Sequence, residues 1–273
     1  MTSNPFDLTG RVAFITGGAG LLGVRHAEAI ARAGGTPVIA DIRGDAAREA
    51  ADRVRRAYGR AIAVTCDVTD EASIAAAHHE VEAGAGPVDV LINNAANNPK
   101  VEAEDATAFV RVEDMTRARW DADVAVGLTG AFMCAKVIGG AMAARGRGAV
   151  VNVSSEYGII APDQRLYERP GLAPREQPAK PASYTAVKAG LHGLTIYLAA
   201  YWARNGVRVN TLVVGGVAAG QDAAFLARAA DRIPLGRMAA PTDFQGAITF
   251  LCSDASAFVT GASLVVDGGK SIW

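Results

Sequence analysis

Residues 12–23 read Val12-Ala13-Phe14-Ile15-Thr16-Gly17-Gly18-Ala19-Gly20-Leu21-Leu22-Gly23. Val12–Thr16 is a short apolar run that stops at glycine, the pattern of a strand buried on both faces. From Leu21 to Ala33 the residues take helical spacing, and Gly34-Gly35 ends the stretch. Between strand and helix, Gly18, Gly20 and Gly23 form a GxGxxG turn. Its first glycine permits a tight turn and its second lets a pyrophosphate approach the backbone. The third lets the helix pack on the strand, while the helix N-terminus offers amide donors and a positive dipole. Asp41 closes the next apolar run, 21 residues beyond Gly20. A carboxylate there accepts both adenosine ribose hydroxyls and repels a 2′-phosphate. NAD is therefore favoured over NADP, although Arg43 follows after Ile42. Asp67-Val68, behind a third run, suits either the adenine edge or an ordinary strand end.

Outward from this segment the same alternation continues. Further strand-like runs cover Thr36–Asp41, Ala61–Cys66, Val88–Asn93, Ala149–Ser154, Val207–Val213 and Ser263–Val266. Helical stretches fall near Asp45–Tyr58, Glu71–Ala83, Glu113–Ala144, Ser183–Arg204 and Thr242–Cys252. Seven strands with helical crossovers predict an α/β, doubly wound parallel sheet with helices on both faces, in one domain over residues 1–273. Pro162–Pro181 breaks the pattern, holding five of the eleven prolines. Such a segment cannot continue a helix and is expected to be an irregular insert.

Composition narrows the functional classes. The 273 residues carry 27 Lys+Arg against 28 Asp+Glu, and half are apolar. A net charge of −1 with scattered basic residues gives no reason to expect nucleic acid or a membrane surface as partner. Cys66, Cys134 and Cys252 lie too far apart for a disulfide framework or a metal site, which favours a reducing compartment. His26, His78, His79 and His192 show no ligand spacing, so no metal is expected; His78 and His79 are expected on a solvated helix face. No charged leader and no apolar run of about 18 residues is read, so a cytoplasmic protein is expected.

Tyr184-Thr185-Ala186-Val187-Lys188 sets a phenol and an ammonium four residues apart on one helix face. A free Tyr titrates near 10; to act as a base near neutrality it must fall by about 3 units, roughly 4 kcal/mol. Ser154-Ser155 closes a predicted strand, where open parallel sheets build their sites.

Thr16-Gly17 with Gly20 and Gly23, Asp41, Asp67-Val68, Asn93-Asn94-Ala95-Ala96, Asn152-Val153-Ser154-Ser155, Tyr184/Lys188, Val207-Arg208-Val209-Asn210 and Val266-Asp267-Gly268-Gly269 occur in that order. The chain thereby resembles the short-chain dehydrogenase/reductase family, compact branch, over nearly its whole length. The resemblance implies a Rossmann-type enzyme moving hydride between NAD(P) and a carbinol or carbonyl carbon. It assigns Tyr184 as acid/base, Ser155 as the hydrogen-bonding partner of the substrate oxygen, and Lys188 as the ribose contact that depresses the tyrosine pKa. Gly17, Gly20, Leu21, Leu22, Gly23, Asp41, Ile42, Asp67, Val68, Asn94, Ala95, Ala96, Gly215 and Val217 are implied cofactor positions, and Asn93 is placed near the cofactor. A homo-oligomer is implied as well.

Several positions depart from the family pattern. The glycine motif reads TGxxGxxG, with Leu21 where the compact branch has glycine. Gly127 stands at the family's catalytic asparagine, leaving room for a water, for substrate or for a neighbouring helix. Val214-Gly215 replaces Pro-Gly, and Ala219 replaces a threonine. Ser155 and Tyr184 lie 29 residues apart, about a dozen being usual, and the insert 162–181 fills the excess.

That insert leaves just after Ser155 and returns just before Tyr184, so its ends flank the reaction centre. Arg165, Tyr167, Arg169 and Arg175 become candidates for gripping an anionic substrate. Glu156 and Tyr157 are candidates for meeting a hydroxylated one. Residues 97–112, with Glu102, Glu104 and Asp105, and 215–238, with Phe225 and Leu226 in a lid-like pattern, complete the expected surroundings. Few aromatic walls are anticipated. The expected function is interconversion of a secondary alcohol and ketone, or of a sugar hemiacetal and lactone, on a polar small molecule such as a sugar, sugar acid or polyol. A carbonyl reductase of apolar substrates and a catalytically weak NAD-binding protein are the alternatives.

Overall fold

The computed structural model describes residues 4–97 and 110–273. Glu102, Glu104 and Asp105 lie outside the described residues. Seven strands form one sheet: β1 (Val12–Thr16), β2 (Thr36–Asp41), β3 (Ile62–Thr65), β4 (Val88–Asn93), β5 (Gly148–Ser155), β6 (Val207–Val214) and β7 (Ser263–Val266). Their order is β3-β2-β1-β4-β5-β6-β7, and every pairing is parallel. The order reverses between β1 and β4, which opens a crevice at the carboxyl ends of the strands.

Alternation along β1 feeds two cores. Ala13 and Ile15 face one side, packed with Ile39, Val90, Ile92 and Leu212 beneath α1 (Leu21–Arg32), α2 (Gly44–Tyr58) and the helix Gln245–Cys252. Val12 and Phe14 face the other, with Val38, Leu91 and Val150, beneath α3 (Glu71–Ala85) and the helices Arg117–Arg145 and Ala182–Trp202. Phe14, Ile15 and Ile39 are fully buried, each contributing about 1.5–3 kcal/mol.

By length and hydropathy the helix Arg117–Arg145 would suffice to cross a membrane, although the sequence has no unbroken apolar run of that length. Here Cys134, Ala135, Ile138 and Met142 along it are buried against the sheet. It carries π-type turns at Ala125–Thr129 and Ala135–Gly139. Its glycines admit the neighbouring helix Ala182–Trp202: a β-carbon on Gly139 would lie 2.7 Å from the Trp202 ring, and one on Gly127 would lie 2.5 Å from Val187 Cγ1. Of the three roles open to Gly127, the approach of a neighbouring helix is the one observed.

His78 is buried rather than solvated, because α3 turns it inward beside Ala77 and Ile74; His79 is exposed as expected. His26, on α1, is wholly buried, and neither ring nitrogen has a partner among the described residues. Desolvation drives its pKa down to about 3, so it is neutral at physiological pH.

Candidate active site

A cavity of about 710 Å³ runs along the carboxyl ends of the strands, from Asp41 and Arg43 at one end to Tyr167, Lys180 and Lys270 at the other. The glycine turn forms its floor on the β1 side. Gly17 takes φ +58°, and a β-carbon there would fall 2.9 Å from Ala95 Cα, so a side chain would strain the backbone and also strike the loop after β4. Gly20, Leu21 and Leu22 line the cavity. Gly23 stays outside it, letting α1 rest on the Gly17 carbonyl. Thr16 and Asn94 lock the turn: Thr16 Oγ1 accepts the Asn94 and Ala95 amides at 3.0 and 3.1 Å, and Asn94 Nδ2 donates to the Thr16 and Gly17 carbonyls.

Asp41 is almost fully buried. Its carboxylate accepts the Ala19 amide at 3.2 Å and the Arg43 amide at 3.1 Å, and the Arg43 guanidinium lies 3.5 Å away. Ile42, Asp67, Val68, Asn94, Ala95 and Ala96 line the same half, as do Gly215 and Val217 beyond β6. Asn93 does not. Its amide donates to Asn152 Oδ1 at 2.8 Å and to the Ala131 carbonyl, because alternation along β4 turns it into the core and leaves Asn94 at the cavity. The narrow glycine turn, the amide-rich helix start and the buried carboxylate at the end of β2 together fit a dinucleotide cofactor.

At the other end Ser155, Tyr184 and Lys188 converge. Ser155 closes β5 and also accepts the Tyr157 amide at 3.3 Å. Tyr184 and Lys188 sit one turn apart on the helix Ala182–Trp202, with Lys188 Nζ 5.8 Å from the tyrosine ring centroid. Lys188 Nζ donates to the Val153 carbonyl at 2.7 Å. Burial pushes the lysine down to about 8. Burial likewise holds the Tyr184 phenol above its ordinary value, with the Ser155 hydroxyl pulling the other way. The first serine of the pair has a different task. Ser154 Oγ donates to the Lys188 carbonyl at 2.8 Å and meets His192 Nε2 at 3.1 Å, tying the helix to β5. His192 is thus a packing residue.

The insert is more ordered than its prolines imply. It contains a 3₁₀ turn at Gln164–Tyr167, and the Gln177 side chain bonds to the Arg169 amide and to the Arg169 and Leu172 carbonyls. Its arginines do not enter the cavity, contrary to expectation. Arg165 forks onto Asp163 at 2.8 and 3.0 Å, and Arg169 and Arg175 are exposed. In water a guanidinium keeps its hydration, so the 3₁₀ turn buries its apolar side instead. Leu166 and Tyr167 face inward, as does Lys180.

Glu156 and Tyr157 do line the cavity. Glu156 pairs with Lys270 at 2.5 Å, and the lysine also donates to the Tyr157 hydroxyl at 3.2 Å. Burial raises the Glu156 carboxyl and Lys270 opposes that rise. Tyr167 donates to Tyr157 Oη at 3.2 Å and meets Phe225 of the helix Ala223–Ala230 at 6.2 Å between ring centroids. With Ile233 and Met238 these rings make this end of the cavity more aromatic than anticipated. Lys180 and Lys270 were missed as cavity residues; Lys270, one residue past Val266-Asp267-Gly268-Gly269, had no periodic pattern to mark it.

Residues 11–167 match the family model described as short chain dehydrogenase, and residues 173–271 match the one described as enoyl-(acyl carrier protein) reductase. A cis-4-hydroxycyclohexanecarboxylate dehydrogenase of Sinomonas cyclohexanicum is 37% identical, over 95% of this chain and 96% of its own. An L-tagatose-forming galactitol 2-dehydrogenase of Cereibacter sphaeroides is 36% identical over 98% of each chain. Among solved structures, a gluconate 5-dehydrogenase of Burkholderia cenocepacia, crystallised with NADP and tartrate, superposes with a TM-score of 0.84 at 32% identity, over 98% of each chain.

Proposed function

This chain belongs to the short-chain dehydrogenase family of nicotinamide-dependent oxidoreductases acting on CH–OH groups, and we propose that it oxidises a secondary alcohol of a small polar molecule to the ketone, or a sugar hemiacetal to the lactone, and catalyses the reverse. The substrate class is a sugar, sugar acid or polyol. The observation that carries this reading is the meeting of Ser155, Tyr184 and Lys188 at one end of a cavity whose other end is the glycine turn and Asp41. Glu156, Lys270 and the Tyr157 hydroxyl add hydrogen-bonding groups beside them, and the relatives named above act on hydroxylated and carboxylated molecules.

In the oxidative direction Ser155 Oγ holds the substrate oxygen and Tyr184 Oη removes its proton. Lys188, fixed by the Val153 carbonyl, places its positive charge beside the phenol and favours the phenolate. When bound, the nicotinamide cofactor supplies the hydride acceptor. Gly17, Gly20, Leu21, Leu22, Asn94, Ala95 and Ala96 would hold its phosphates and ribose on the β1–β4 side, Asp67 and Val68 its adenine, and Gly215 and Val217 its nicotinamide end. Asp41 would take the adenosine ribose hydroxyls, which makes NAD the preferred form. Arg43, within 3.5 Å of that carboxylate, is suited to a 2′-phosphate.

The test is NADH and NADPH formation across a panel of sugars, sugar acids, polyols and apolar alcohols, with Tyr184→Phe as control. Tyr184-dependent turnover of polar compounds is the expected result; turnover confined to apolar alcohols overturns the substrate class. A homo-oligomer is part of the same reading. It is supported by Ile196, Tyr197 and Tyr201, each more than 60% exposed on one helix, and the mass in solution checks it.

A further inference from the structure

The insert 162–181 sends three arginines to solvent and one lysine into the cavity. Lys180 is placed with care. Its amide donates to Gln164 Oε1 at 2.8 Å, and its carbonyl accepts from Gln164 Nε2 at 3.4 Å, so a single side-chain amide holds the peptide on both sides. Pro181 follows, with φ −59°, as the N-cap of the helix that carries Tyr184. The lysine's origin is therefore fixed relative to the phenol, and its Nζ lies 3.9 Å from the Tyr184 ring centroid.

An ammonium over an aromatic face is attracted by the negative face of the ring, which parks it beside the reaction centre. Burial nevertheless pushes Lys180 down to about 8, with Lys188 acting in the same direction and Glu156 and Asp123 against it. An anion brought next to this group would offset that cost. Lys180 is half-buried in the same cavity as Leu166, Tyr167 and Tyr184, so a charge pair formed there is less screened by water than one on the open surface.

We propose that Lys180 is the specificity-determining cation of the substrate site, and that it takes the carboxylate of a hydroxy acid whose reacting hydroxyl lies between Ser155 and Tyr184. This rests on the dehydrogenase reading above and narrows its substrate class to acids. The ion pair orients the carbon skeleton over the phenol, leaving the Glu156–Lys270 pair to meet further hydroxyl groups. Lys180 takes no part in the proton transfer.

Two matched pairs of probes test the assignment: gluconate against glucitol, and cis-4-hydroxycyclohexanecarboxylate against its carboxamide. The native enzyme is expected to prefer the acid of at least one pair. Lys180→Met is expected to cut the acid-to-neutral ratio of kcat/KM by about 30-fold or more, the effect of losing one desolvated ion pair, and Lys180→Arg to keep most of it. A ratio unchanged in Lys180→Met overturns the proposal. Calorimetric titration of the NADH-loaded protein with the same acids separates this from the broader reading. Acid binding that weakens about tenfold or more in Lys180→Met upholds Lys180 even if no probe is turned over, a result that would count against the dehydrogenase reading alone. Equal acid binding in both proteins, or none in the native protein, overturns it.

Discussion

Val187 Cγ1 lies 2.5 Å from where a β-carbon on Gly127 would be. The long helix Arg117–Arg145 and the helix Ala182–Trp202 are thus in contact one residue before Lys188. No side chain fits between them without displacing Val187.

Gly127→Ala is therefore expected to destabilise the protein by about 1–3 kcal/mol through overpacking, even though alanine suits a helix better than glycine by about 1 kcal/mol. Combining it with Val187→Ala should recover much of the loss, a non-additivity that contact predicts. Chemical denaturation of the single and double variants checks this; a stabilising Gly127→Ala would show that Val187 yields freely.

Tyr184→Phe removes the proposed acid/base group and little volume. Turnover should fall by about 10²–10⁴-fold while NADH affinity, read by fluorescence titration, stays close to native. Retained turnover would remove Tyr184 from the proton transfer.

Asp41→Ala should lower the NAD-over-NADP ratio of kcat/KM by roughly tenfold or more, since a site built to bond hydroxyls discriminates strongly through them. The Ala19 and Arg43 amides lose an acceptor at the same time, so some loss of stability should accompany the change. An unaltered ratio would take Asp41 out of cofactor selection.

Lys270 and Glu156 form a pair whose side chains are 11% and 2% exposed. Lys270→Met strands a buried carboxylate and should cost about 3–5 kcal/mol. Adding Glu156→Gln should return most of that stability, because a neutral amide needs no counter-charge. Equal unfolding midpoints for the single and double variants would refute the coupling.

His26 makes the acid limb of stability predictable. Its folded pKa of about 3 lies below the unfolded value of 6.5, so the unfolded chain binds the extra proton between those values. The stability this group contributes is complete above pH 6.5 and is lost as pH falls toward 3, by about 1.4 kcal/mol per pH unit. His26→Leu should flatten the fall in Tm across that window. An unchanged slope would mean that the imidazole takes up its proton without unfolding.

Much of this architecture is legible in the sequence because burial on two faces leaves strands as plain apolar runs. Thr36–Asp41, Val88–Asn93 and Ser263–Val266 have the same bounds in both readings. Ser155, Tyr184 and Lys188 were readable because their spacing is fixed by a strand end and a helix turn. The insert was not, since a proline-rich segment has no period from which to infer a facing: Arg165 turns out and Lys180 turns in for reasons of hydration and of a single glutamine. Neither His78 nor Asn93 could be oriented without knowing how much of its element the neighbouring layer covers.

Tyr157, Leu166, Tyr167, Phe225 and Ala229 form a small apolar cluster distinct from the two cores that sandwich the sheet. This cluster, against which Tyr184 packs, is in effect a separate module, assembled from the segment after β5, the insert and the helix Ala223–Ala230. Selection can rework such a module with little penalty to the dinucleotide half, where changes at Gly17 or Asp41 would be felt at once. New substrates can thus be acquired by redecorating one rim while the hydride chemistry is inherited intact.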